Sequence, residues 1–273
     1  MKRSLLSILF VFTLLQVIAQ DYSQIVDKAL NCAKKDSLVQ AEKLFKEALQ
    51  LDPSNIRNAL LFTNLGTVQR RMGKSDEALD SYTLSLNITP YSVVTLLNRA
   101  SLYLERNNLD KAYNDYCNVL DIDRKNKEAL FYRAYINMNR REYKEARSDY
   151  NALLNIDNKN KTAQIGLIIL NQKEFKYREA LEGVDRMIVE HPKDASLLKI
   201  KANIEIDMNT LDLALIDLEA AAKLDPNDPE IYVLCGDIYM EQKKKREAYV
   251  AYEKAVSLGT PRSELRDKLK SSK

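Results

Sequence analysis

A chain of 273 residues with 45% hydrophobic and 30% charged side chains can bury a sizeable core, which excludes disorder and a wholly membrane-embedded protein. Six glycines, six prolines and no tryptophan supply too few turns for an all-β sandwich or barrel, so helix is the expectation. The formal charge is +3, and 40 basic against 39 acidic side chains remain beyond residue 20, a balance that gives no footprint for nucleic acid.

In chain order, Lys2 and Arg3 precede an apolar stretch from Leu5 to Ile18 that ends at Ala19-Gln20, the pattern of a secretory signal peptide over 1–20. Its 14 residues fall short of the roughly 20 that span a hydrocarbon core. No cysteine stands at the cut for a lipid anchor, since the first is Cys32. The mature chain is therefore expected to be exported without stable membrane insertion, to a bacterial periplasm or, as the alternative, to the extracellular space.

Beyond the leader, alanines recur every 34 residues, at Ala78, Ala112, Ala146, Ala180, Ala214 and Ala248, with Ala41 a further 37 residues upstream of the first. Four residues after each stands a large side chain: Phe45, Tyr82, Tyr116, Tyr150, Val184, Leu218 and Tyr252. Twelve residues before each stands a small one, as Ala29, Gly66, Ala100, Ala134, Ala202 and Gly236, with Ile168 the exception. Offsets of four keep side chains on one helical face, so each period predicts two helices whose small residues let the backbones approach. Prolines 53, 90, 192 and 226 end second helices, because proline lacks the amide proton a helix needs. Asn126 and Asn160 are expected to do the same through a left-handed backbone. The three extra residues Ile56 to Asn58 are expected to lengthen the start of a helix.

This pattern resembles the tetratricopeptide repeat, with a small residue at the eighth place, alanine at the twentieth, an aromatic at the twenty-fourth and proline at the thirty-second. Seven units follow, at 22–55, 59–92, 93–126, 127–160, 161–194, 195–228 and 229–262. Residues 263–273 form a capping helix and tail, introduced by Thr260-Pro261 and bearing Leu265 and Leu269. The fifth unit departs most, with Gln164, Ile168 and Val184 in place of the usual large, small and aromatic residues. The resemblance implies an all-α, right-handed superhelical solenoid. The register also puts Cys32, Cys117 and Cys235 in different units, beyond disulfide reach.

Nothing in the sequence assembles catalytic chemistry. The single histidine, His191, precedes Pro192 in a turn, which leaves no triad or dyad, and the cysteines lack metal-ligand spacing. No phosphate-cradling glycine loop occurs, so no enzyme activity, cofactor or metal is expected. The carboxylates of Glu142 and Glu145, beside Arg140, Arg141 and Lys144, read as solvated surface charge, as does the basic run Lys243 to Arg246.

The resemblance also implies a concave groove lined by first helices, at the second, fifth, ninth and twelfth places of each unit. These give Val94, Leu97 and Ser101, then Phe131, Tyr135 and Met138, then Ile165 and Ile169. Lys199 and Asn203 match two members of the family's carboxylate clamp, but Leu234 breaks the match in the next unit, and Val26 and Thr63 stand where lysine should precede Asn64 and Asn98. The expected function is a scaffold that holds a protein or peptide partner. The alternatives are self-association, or an envelope-assembly or carbohydrate-handling accessory role in which Tyr132, Tyr135 and Tyr143 offer flat faces to a sugar.

Overall fold

The computed structural model describes residues 20–273, which are helical with no strand among them. The expected signal peptide lies outside the described residues up to position 19, and Gln20 already belongs to a helix, α1, over 20–34. First helices are α1, α3 (Asn58–Arg71), α5 (Val93–Glu105), α7 (Lys127–Asn139), α9 (Lys161–Lys173), α11 (Ala195–Asp207) and α13 (Pro229–Glu241). They alternate with α2 (Leu38–Leu51), α4 (Ser75–Ile88), α6 (Leu109–Ile122), α8 (Tyr143–Ile156), α10 (Tyr177–Glu190), α12 (Leu211–Leu224) and α14 (Lys245–Ser257), and α15 (Arg266–Ser271) follows. The chain divides after Ile136 into two compact halves. Within the first half α2 to α6 pack each on the next, and within the second α8 to α15 do so.

The repeat spacing becomes packing in a direct way. All seven alanines at the twentieth place are completely buried, and Phe45, Tyr82, Tyr116, Tyr150, Val184, Leu218 and Tyr252 are buried beside them. A Cβ on Gly66 would stand 2.7 Å from the Tyr82 ring, and one on Gly236 would strike Tyr252, so the small place exists to admit the aromatic one. The fifth repeat reverses this arrangement. There Ile168 supplies the bulk from the first helix, and Gly183 of α10 yields the space, since a Cβ at 183 would meet Ile168 Cγ1 at 2.8 Å. The departure is a swap of large and small across one helix pair.

Helix starts are chemically marked. The side chains of Ser92, Asn160, Asp194 and Asp228 accept hydrogen bonds from backbone N–H groups at the starts of α5, α9, α11 and α13. Asn126 accepts likewise from Ala129 N at the start of α7. Asn126 and Asn160 therefore begin helices rather than end them: Asn160 has φ −63° and ψ 100°, an extended backbone, so the left-handed reading is corrected. The left-handed residues lie elsewhere, one in each turn within a repeat: Asp36, Gly73, Asn107, Arg141, Phe175, Asn209 and Lys243.

Two further expectations are revised. Ile56 and Arg57 form a turn, and only Asn58 extends α3. Asn58 is buried there, with Oδ1 accepting from Tyr22 Oη at 2.9 Å and Nδ2 donating to the Asp52 carbonyl at 2.7 Å, so the insertion ties α1 to α3. Thr260-Pro261 does not open the last helix. Residues 262–265 turn first, and α15 starts at Arg266, which brings Leu265 and Leu269 onto Ala248, Tyr252 and Ala255.

Candidate functional site

The expected groove positions divide between the halves. In the first half, Val94 is 63% exposed and Tyr135 40%, whereas Leu97, Ser101 and Phe131 are half-buried. Arg70 donates to Ser101 Oγ at 2.9 Å while pairing with Glu105, and Phe131 meets Tyr132 edge-on at 5.0 Å. Tyr132 itself stacks on Tyr116 at 5.4 Å, which removes one of its faces from any ligand. In the second half Met138, Ile165, Ile169 and Asn203 are half-buried, and Ile165 packs on the cluster around Ile168 and Val184. The Lys199 ammonium sits 2.7 Å from Asp228 and 2.5 Å from Glu230. Burial alone would lower its pKa, but these two carboxylates raise it, so its charge is already answered within the chain.

An exposed apolar cluster of the first half lies beside Val94. Ile56, Leu60, Tyr91 and Val94 are each between 62% and 80% exposed and surround a cavity of about 630 Å³. Its inner wall carries hydroxyls: Thr63 Oγ1 lies 2.8 Å from both Ser85 Oγ and Thr95 Oγ1, and it donates to the Ala59 carbonyl. Arg57 is the sole charged residue lining the cavity. Leu60 holds the second place of its repeat, as Val94 does, so the register could have found it. Ile56 and Tyr91 sit in turns between repeats, where periodicity gives no signal.

The second half holds a cavity of about 670 Å³ between α12, α13 and α14, lined by Ile231, Cys235 and Tyr239 of α13. At about 100° per residue these third, seventh and eleventh places point away from the second, fifth, ninth and twelfth. A substitution accounts for the space. Arg99 and Asp115 form a bidentate pair at the seventh and twenty-third places of the third repeat, and Lys201 and Asp217 lie 3.4 Å apart at the same places of the sixth. In the seventh repeat those places hold Cys235 and Ala251, which are short and uncharged. Burial pushes the Cys235 thiol up to about 11, so it is no nucleophile at neutral pH. Cys32, Cys117 and Cys235 are all free thiols. Among the described residues no cluster of histidine, cysteine and carboxylates could hold a metal, and no helix is long and apolar enough to cross a membrane.

Comparison with known proteins gives this geometry a family. The family model described as the ETO1 C-terminal domain matches residues 19–243, and the one described as tetratricopeptide repeat matches residues 229–258. A crystallised tetratricopeptide repeat protein from Parabacteroides merdae ATCC 43184 is 33% identical with a TM-score of 0.80, over 93% of this chain and 99% of that one. The chain belongs to the tetratricopeptide-repeat family. Human DnaJ homolog subfamily C member 7 is 33% identical over 87 residues, and the match spans 29% of this tetratricopeptide-repeat chain and 18% of that protein's length. The structure of the APC/C hetero-tetramer Cut9-Hcn1, 12% identical with a TM-score of 0.61 over 91% of this chain and 55% of that one, shares the fold.

Proposed function

We propose that the chain is a non-enzymatic scaffold that binds a peptide or partner protein, and that the surface around Ile56, Leu60, Tyr91 and Val94 takes part in that binding. The observation that carries the reading is the convergence of these four exposed apolar side chains, from two turns and two helix starts, on one cavity. Apolar area gathered in one patch is costly to leave in water and marks interaction surfaces. Covering a side chain of this size is worth about 1.5–3 kcal/mol. The hydroxyls of Thr63, Ser85 and Thr95 are satisfied among themselves, so covering this wall strands none of the three, while Arg57 on the same lining calls for an acidic or carbonyl partner from the guest.

Export is part of the proposal, on the strength of Lys2, Arg3 and the apolar run to Ile18, with a bacterial periplasm as the destination. Amino-terminal sequencing of the protein recovered from a periplasmic extract tests it, and a start at Met1 would refute cleavage.

The binding test uses the chain from residue 21 as immobilised bait. Leu60→Lys with Val94→Lys should abolish capture of the partner from the native extract while circular dichroism stays helical. Capture that survives the double substitution would remove this surface from the function. Static light scattering of the same protein separates a partner from a second copy, since self-association would make the mass depend on concentration.

A further inference from the structure

The turn inside every repeat needs a left-handed residue at its fifteenth place, and four repeats meet the need with Asp36, Gly73, Asn107 and Asn209, residue types that tolerate it. Arg141, Phe175 and Lys243 do not belong to that group, yet they carry φ of 63°, 60° and 62°. Two of the three, Arg141 and Phe175, line one cavity of about 720 Å³ in the second half. Phe175 is also 78% exposed, so it is unfavourable both in backbone and in hydration, and glycine would suit the fold better on both counts. The backbone requirement is common to every repeat, so what distinguishes this rim is the side chains that meet it, an exposed aromatic ring and a guanidinium.

The chemistry around it is specific. Phe175 meets Tyr177 edge to face at 6.1 Å and 85°, and Tyr143 is a third aromatic on the lining. Gln172 Nε2 donates to Asp207 Oδ2 at 2.7 Å, which fixes a planar carboxylate and a planar amide on the same lining, with the Arg141 guanidinium. A purely apolar guest would desolvate Arg141 and the Asp207 lone pairs that Gln172 leaves open without giving them anything in return. A pyranose ring has an apolar face of C–H groups, which an aromatic ring covers, and an edge of hydroxyls that both donate and accept, which carboxylate, amide and guanidinium answer. The volume lies within the roughly 300–1,000 Å³ of small-molecule sites.

We infer that this cavity is a carbohydrate-binding site that takes a sugar ring of a polysaccharide between the Phe175, Tyr177 and Tyr143 rings and the Gln172–Asp207 pair. It is independent of the protein-binding surface of the first half.

Affinity electrophoresis of the full chain in native gels containing soluble glucan, xylan, mannan or galacturonan tests the site. At least one polymer should retard the protein, and Phe175→Gly should cut that retardation at least tenfold. Glycine takes positive φ freely, so the same variant should raise the thermal midpoint by about 2–4 °C, which separates lost binding from lost folding. Asp207→Asn should also weaken retardation, with the midpoint unchanged. Two results overturn the inference: no polymer of the four retards the chain, or Phe175→Gly remains retarded; in the first case, loss of capture of a protein partner by Phe175→Gly would assign the cavity to that partner.

Discussion

Lys243 shows at the scale of one residue how a repeat constrains its sequence. Its φ of 62° is set by the three-residue turn between α13 and α14, where a side chain with a Cβ loses on the order of 1–2 kcal/mol against glycine. Lys243→Gly should therefore stabilise the protein by about 1 kcal/mol, read as a higher urea midpoint with an unchanged slope. The buried alanines make the opposite demand. Ala146 is completely buried, and Ala146→Leu should cost about 1–3 kcal/mol by overpacking, with an unchanged midpoint refuting the register. The alanine places were legible because one small residue type fills all of them. The left-handed places were not, because Arg141, Phe175 and Lys243 disguise a backbone requirement that glycine or asparagine would have announced.

At the scale of helix pairs, the fifth repeat shows that the family pattern constrains total volume rather than the residue at each place. Ile168 and Gly183 exchange the usual small and large roles, so each substitution makes sense only with the other. Gly183→Ala alone gains up to about 1 kcal/mol of helix propensity but drives a methyl into Ile168, a clash of about 1–3 kcal/mol. In an Ile168→Ala background the clash vanishes, and the same change should become stabilising by about 1 kcal/mol. Chemical denaturation of the four proteins of this cycle should show that reversal of sign, and additivity would refute the swap. Helix alternation and the buried faces could be read from the sequence because both follow period and side-chain size. The roles of Asn126 and Asn160 could not, since asparagine suits either end of a helix. The proposed binding surface was only partly legible. Val94 and Leu60 obey the register, but the exposure of Ile56 and Tyr91 is decided by turns.

For the whole molecule, charge sets a dependence of stability on pH that the near-zero net charge conceals. Glu42 is buried in the first half, and burial would raise its pKa, but hydrogen bonds from Lys46, Lys74 and Gln69 outweigh it and hold the carboxyl down to about 2. Its contribution is present above its ordinary value of 4.5 and is lost as pH falls toward 2. Glu205, in the second half, has the reverse linkage. It is 4% exposed, and its Oε2 has no hydrogen-bond partner among the described residues. Burial, and then the Asp217 carboxylate, push it up to about 7. The groups facing it from α10, α11 and α12 are Asp185, Lys201 and Asp217, so a single lysine answers two carboxylates before Glu205 ionises. A proton on Glu205 lets it share a hydrogen bond with Asp217; ionisation leaves a third negative charge around one ammonium. Because the folded state holds this proton more tightly than the unfolded chain, the stabilisation is complete below 4.5 and is lost as pH rises through about 7. In an array whose repeats rest only on their neighbours, that loss should appear first in α10 to α12. The thermal midpoint should be higher at pH 5.5 than at pH 8. Glu205→Gln, which is neutral at both, should flatten that difference and be on the order of 2 kcal/mol more stable than the parent at pH 8. A parent midpoint that does not fall between the two pH values would show that Glu205 is ionised at both, and that the chain opens enough around it to let water in.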